Sequence, residues 1–278
     1  MPAAAPLRAL SDPSASPPAR PALPDAVESL VWRGTSLGTP ITSVVSTGFD
    51  ALDRELPGGG WPCHALTELL QAQPATLEWR LLAPAIRPLV AAGQSVVVIA
   101  PPRHPHLPGL RHSGIDERHL VWVQADTPAE RLWCTEQMVR ANAFGALIAW
   151  LPQARPEQIR RLQVSAQDCE APVFLFRPQL AQREASAAPL RVMADLGSDW
   201  RLQVHILKRR GPVHDGTIQL EAIPGGLSSV LTPRLLRPSQ LVSASALSSP
   251  FPPNREVAPH ALGSTVAPHR PRRQPTLQ

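Results

Sequence analysis

The sequence predicts an α/β fold, with a mostly parallel sheet flanked by helices and an antiparallel C-terminal extension. Three observations predict it. Short apolar runs recur at residues 65–70, 95–100, 120–123, 146–150 and 173–176. Longer stretches with apolar residues at helical spacing lie between them, the alternation that parallel strands and crossover helices produce. After Arg177 the pattern changes to runs at 190–194, 200–207 and 217–223, the last two joined by the short turn Lys208-Arg209-Arg210-Gly211-Pro212. So short a turn joins antiparallel neighbours.

Taken in order, residues 26–32 read as a short amphipathic helix. The run Gly34-Thr35-Ser36-Leu37-Gly38 matches a nucleophile elbow, but that motif needs a strand before it and a helix after it. Pro40 and the β-branched stretch 42–45 deny the helix, so no hydrolase is expected. Phe49, Leu52 and Leu56 place a short helix over 50–56, which Pro57 and Gly58-Gly59-Gly60 end. Strand 65–70 leads into an eight-residue loop, 71–78, and a helix over 76–92 with Leu77, Leu81, Leu82, Ile86, Leu89 and Val90 on its apolar face. Pro84 and Pro88 are expected to kink or shorten that helix. Strand 95–100 stops at Pro101-Pro102, and residues 107–111 hold at most one helical turn. Thr127-Pro128-Ala129-Glu130 forms a capping box with proline at the first helical position, and Leu132, Trp133, Val139 and Ala143 are expected to face inward. A further helix covers 157–167, and 177–188 reads as a polar loop.

Composition divides the chain. It has 278 residues, 34 prolines and no tyrosine, and the prolines cluster at both ends. Residues 1–25 and 233–278 are Pro/Ala/Ser/Arg segments without apolar periodicity and read as disordered, leaving one core domain over 26–232. The net charge of +5 belongs to the tail, where Arg234, Arg237, Arg255, Arg270, Arg272 and Arg273 face one acid, Glu256. The rest of the chain is neutral. That balance argues against a broad duplex-binding surface, while the tail suits an acidic partner or nucleic acid. Cys63, Cys134 and Cys169 are odd in number and far apart, as expected in a reducing compartment. No run approaches the length of a membrane span, and the N-terminus lacks a signal peptide's apolar region. The expected location is the cytoplasm. His104, His106 and His112 lack the acid or cysteine spacing of a metal site, so no metal or other cofactor is expected. Trp61, Trp79, Trp133 and Trp150 read as packing residues.

The run Ser46-Thr47-Gly48, Leu52-Asp53, Leu56, Gly58-Gly59-Gly60, Pro62 and Glu68 resembles the lead-in to the P-loop of the RecA-type ATPase core. Element order extends the resemblance to roughly residues 40–226. Within that superfamily the chain is similar to the ImuA family, RecA-like members of bacterial translesion-synthesis cassettes. The shared features are the turn Leu56-Pro57-Gly58-Gly59-Gly60-Trp61-Pro62, the strand Thr67-Glu68-Leu69-Leu70, Arg80-Leu81-Leu82 with Pro84-Ala85, and the late Leu207-Lys208-Arg209-Arg210-Gly211.

The resemblance implies a RecA-like core without its chemistry. Aligned on Glu68, the P-loop's glycines fall on Gln71 and Thr76, its lysine on Leu77 and its hydroxyl residue on Glu78. Glycines let backbone N–H groups wrap a phosphate, and leucine cannot bridge phosphates. A glutamate at the helix N-terminus repels a phosphate there. Lys208 is the only lysine, so no shift of register restores the motif. Ala100-Pro101-Pro102 stands where the family carries a catalytic glutamate, and Trp150 where an aspartate would hold magnesium.

The expectation is therefore a non-catalytic accessory protein of SOS-induced translesion synthesis, nucleoid-associated when active. By resemblance its partners are a Y-family-like ImuB protein, an error-prone polymerase subunit and RecA itself. Lys208, Arg209, Arg210, Arg270, Arg272 and Arg273 are candidate contacts to a partner or to nucleic acid, against the plain reading of a solvated turn and tail. The loop 177–188, in the place of a DNA-binding loop of RecA, is only weakly basic, so direct DNA contact is expected to be weak. Self-association is left open. The alternative is a SulA-type division inhibitor that binds a tubulin-like protein, although this chain exceeds the minimal inhibitor in length.

Overall fold

The computed structural model describes residues 43–240 apart from Gly226. The predicted helix over 26–32, the run Gly34 to Gly38, the residues 1–25 and the tail arginines Arg255, Arg270, Arg272 and Arg273 lie outside the described residues.

The chain opens with β1 (Val44–Val45), α1 (Asp50–Asp53) and β2 (Trp61–Pro62), β1 and β2 pairing antiparallel. The lead-in motif is a structural clasp. Ser46 Oγ donates to one oxygen of Asp53 at 2.6 Å, and the Thr47 N–H donates to the other at 2.8 Å. Gly48 has φ +78°, and a Cβ there would lie 2.4 Å from the Pro84 Cβ, so only glycine lets this turn lie against the next helix.

There follow β3 (Leu66–Gln71), α2 (Glu78–Ala91), β4 (Val96–Ile99), α3 (Leu107–His112) and β5 (Leu120–Val123). Next come α4 (Pro128–Ala141), β6 (Ala146–Trp150), α5 (Pro156–Ala166) and β7 (Val173–Pro178). The chain closes with β8 (Leu190–Leu196), β9 (Arg201–Lys208) and β10 (Ile218–Glu221). The sheet order is β10-β9-β8-β3-β7-β6-β4-β5. Strands β3 to β8 are mutually parallel, and β9 and β10 are antiparallel additions.

The mostly parallel sheet is as predicted, with one refinement. Residues 190–194, grouped by sequence with the antiparallel extension, run parallel to β3, with Leu190 opposite Thr67. The stretch between β7 and β8 crosses β3 rather than turning back, so the extension starts one strand later.

Alternation along the strands fills two core layers. Val96, Val98, Ile148, Phe174 and Phe176 pack with Leu81, Leu82 and Ile86 of α2 on one face. Val97, Ile99, Leu147, Val173 and Leu175 pack with Leu132 and Val139 of α4 and Ile159 and Leu162 of α5 on the other. Helix α2 runs through both Pro84 and Pro88 instead of stopping at them. Trp133, expected inward, is 62 % exposed, and Ala143 is exposed too. Leu132, Thr135, Glu136 and Val139 form the buried stripe, and Trp133 lies about 100° round the helix from Leu132. Ala143 follows Asn142, which ends α4 in the left-handed conformation.

The capping box at α4 forms as predicted. Thr127 Oγ1 accepts the Glu130 N–H, and the Glu130 carboxylate accepts the Thr127 and Asp126 N–H groups. These bonds hold the Glu130 carboxyl below its ordinary pKa. A depressed folded-state pKa gives stability that is present above the ordinary carboxyl range and lost as pH falls through the folded value. Thr127→Ala is expected to cost about 1 kcal/mol in urea unfolding at neutral pH.

Candidate functional site

Strand β3 delivers Gln71 to the sheet edge, and α2 starts at Glu78. The intervening loop folds around the Glu78 side chain, which is 3 % exposed. Glu78 Oε1 accepts from the Ala75 N–H at 2.6 Å, from Gln71 Nε2 at 2.8 Å and from Trp150 Nε1 at 3.3 Å. Oε2 accepts from the Leu77 N–H at 3.1 Å. A carboxylate at the first position of a helix is favoured by the helix dipole. Here it also satisfies two loop N–H groups that would otherwise be orphans at the helix start.

Three of the positions singled out in the sequence, Gln71, Glu78 and Trp150, therefore meet at one carboxylate. Trp150 reaches it from the end of β6 and stacks on Phe176, with centroids 5.1 Å apart and planes 18° from parallel. The other two do not converge. Leu77 turns into the core with Leu81 and Leu82, and Thr76 is exposed, its hydroxyl donating to the Gln73 carbonyl at 2.7 Å. The sequence anticipated that Glu78 would repel a phosphate. That it turns back to occupy the loop's own donors was not legible from spacing.

A phosphate group does not fit this loop. Two of the donors that could cradle it are bound to Glu78, and no lysine stands near. Ala75 adopts φ 63°, and Ala100, just beyond β4, adopts φ 48°, so two non-glycine residues take left-handed backbone at this edge. Beside Glu78 a cleft of about 270 Å³ is lined by Thr76, Trp79, Arg80, Arg103, His104 and Trp150, among others. Among the described residues no group of three His, Cys, Asp or Glu side chains could hold a metal ion. The thiols of Cys63, Cys134 and Cys169 are free, and burial pushes those of Cys63 and Cys169 above the ordinary range.

A second polar cluster lies on the other face of β3. Glu68 is fully buried between two arginines, Arg177 Nη1 at 2.6 Å and Arg191 Nε at 2.5 Å. Arg177 Nη2 also donates to the Glu184 carboxylate and the Ala154 carbonyl, both at 2.7 Å. Arg191 donates to the carbonyls of Ala181 at 2.7 Å, Glu184 at 3.2 Å and Gln182 at 3.4 Å. Burial opposes the Arg177 charge, yet hydrogen bonds to Glu68 and Glu184 hold its pKa above the ordinary arginine value. The crossover from β7 to β8 is thus fastened by ion pairs where a helix would use an apolar face. Arg177, read from sequence as a loop base, is 3 % exposed and unavailable to DNA. The sequence signals only that Glu68 and Arg191 each interrupt an apolar strand and need partners; nothing in the spacing names Arg177 as one.

The late hairpin is more engaged than a solvated turn. Lys208 Nζ donates to the Ser186 carbonyl at 2.8 Å. Desolvation and the neighbouring Arg191 lower the Lys208 pKa. Arg209 Nη1 bonds the Glu55 carbonyl and lies 3.3 Å from the Glu55 carboxylate, while its Nε donates to Pro212 O at 2.8 Å. Arg210 is exposed. The candidate residues Arg270, Arg272 and Arg273 lie outside the described residues. Among the described residues no helix is long and apolar enough to cross a membrane.

Fold and site define a mostly parallel α/β protein whose strand–loop–helix edge is closed by its own carboxylate. No protein-family model matches the chain. Part of it is 32 % identical to the cell division inhibitor SulA of Photorhabdus laumondii subsp. laumondii, over 31 % of this chain and 62 % of that protein. The chain thus spans less than two thirds of that relative's length.

Proposed function

We propose that this chain is a non-catalytic, RecA-like accessory protein of the SOS response that works through protein contacts. The observation that carries the reading is the Glu78 carboxylate, bound by the Ala75 and Leu77 N–H groups in the loop where a nucleotide phosphate would need them. Phosphoryl transfer depends on loop donors, a lysine and a metal-holding acid, and the corresponding positions here are filled by Gln71, Thr76, Leu77, Glu78 and Trp150. The partial similarity to the cell division inhibitor SulA supports an SOS-related role.

Within that role the motif resemblance favours translesion synthesis. The chain would join a Y-family-like ImuB protein and an error-prone polymerase subunit, with RecA a further contact and the basic tail a tether. The stretch shared with SulA favours a second reading, inhibition of a tubulin-like division protein. Co-purification with each candidate, using the chain with and without residues 233–278, separates them. Capture of the ImuB-like protein, weakened by loss of the tail, is the expected result. Capture of the division protein alone, with cell filamentation on overexpression, would overturn the translesion assignment.

A further inference from the structure

Strand β5 ends the sheet on one side, and among the described residues no strand lies beyond it. It reads Leu-Val-Trp-Val, without the lysine, proline or bulge by which edge strands resist pairing with another chain. Every residue of β3, β4 and β6 is buried, whereas none of β5 is, and Val121 is 44 % exposed. The opposite edge differs: β10 lies against α1 and carries the exposed Gln219 and Glu221.

The backbone decides which groups β5 offers. The Ala100 N–H donates to the Val123 carbonyl at 2.9 Å, so Val123 and Val121 address β4. Alternate residues of a strand address opposite sides, which turns Trp122 and the Leu120 carbonyl outward. The Leu120 N–H turns back to the Glu117 carbonyl. His104 lies against the Trp122 ring, with centroids 4.7 Å apart, so this side chain is already packed before any partner arrives.

We propose that a second copy of this chain occupies this edge, β5 pairing antiparallel with itself about a two-fold axis at Trp122. Outward-facing residues must oppose one another, so few registers are open. With Trp122 opposite its own equivalent, Val121 meets Val123 of the second copy, and Arg118 comes opposite Asp126, both exposed. A slide that sets Trp122 against Leu120 brings Asp116 opposite Asp126, two like charges. The opposite slide sets Arg118 against Pro128 and loses the ion pair. The charges flanking β5 therefore select one register, and they complement the same strand reversed. Arg118 binds Asp116 of its own chain through Nε and Nη2, which leaves the Nη1 donors for the second copy. This dimer goes beyond the functional reading and does not depend on it.

The test is sedimentation velocity on the full chain over a micromolar to millimolar concentration series, as wild type, Val121→Lys, Arg118→Asp and the double variant Arg118→Asp/Asp126→Arg. Wild type should pass from monomer to dimer and stop there, because a two-fold contact closes at two copies. Val121→Lys should weaken the dimer at least about tenfold and Arg118→Asp at least about threefold. The double variant should return to within about twofold of wild type, a rescue that a misfolded chain could not give. A wild-type chain that stays monomeric, or that grows into larger assemblies, would overturn the proposal. Dimerisation unchanged in Val121→Lys and Arg118→Asp would move the contact to another surface and overturn it equally. Loss in Arg118→Asp without rescue in the double variant would overturn the register.

Discussion

Replacing Glu68 with alanine is expected to lower the unfolding free energy by about 3–5 kcal/mol. The carboxylate is the shared partner of Arg177 and Arg191, and its removal leaves two buried guanidinium groups facing each other. Arg177 keeps Glu184 and a carbonyl, and Arg191 keeps its carbonyls, so the loss is of charge balance rather than of every bond. The triple replacement Glu68→Leu, Arg177→Met and Arg191→Met removes all three charges together and is expected to be close to neutral in stability. It should nevertheless raise hydrogen exchange across residues 179–189, because the crossover carbonyls lose the donors that fix them. Urea unfolding with exchange mass spectrometry reads both. A Glu68→Ala cost under about 1 kcal/mol would mean that the cluster is not the fastening described.

The second large effect is expected at Glu78. Glu78→Ala strands the Gln71 amide, the Trp150 indole and two backbone N–H groups without an acceptor. Unsatisfied buried donors cost about 1–3 kcal/mol each where water cannot reach them, and the adjoining cleft admits water to some, so a total of about 3 kcal/mol is expected. The vacated donors sit at a helix N-terminus, a natural anion position. Added phosphate or sulfate should therefore restore part of the lost stability in Glu78→Ala and raise the wild-type midpoint less. Equal anion effects on both proteins would show that the carboxylate is not occupying an anion cradle.

Most of the architecture was legible because the strands are short apolar runs and the turns are marked by proline and glycine. The strand 146–150 and the capping box at Thr127 form where local chemistry places them. Three features were not legible for a common reason: each depends on where a side chain goes after the fold has formed. Spacing cannot tell that Glu78 folds back on its own loop. It also cannot tell that Arg177 turns under the sheet while Trp133, on an otherwise amphipathic helix, faces out. The parallel placement of 190–196 was hidden because an irregular crossover carries no helical periodicity. The basic hairpin read as a contact surface or a solvated turn, yet Lys208 and Arg209 spend hydrogen bonds on Ser186, Glu55 and Pro212.

Isothermal titration of the full chain with ATP and magnesium tests the central claim, that the Glu78 carboxylate closes the phosphate site, most directly. The account predicts no saturable heat up to millimolar nucleotide for the wild-type chain. A dissociation constant in the micromolar range would contradict it.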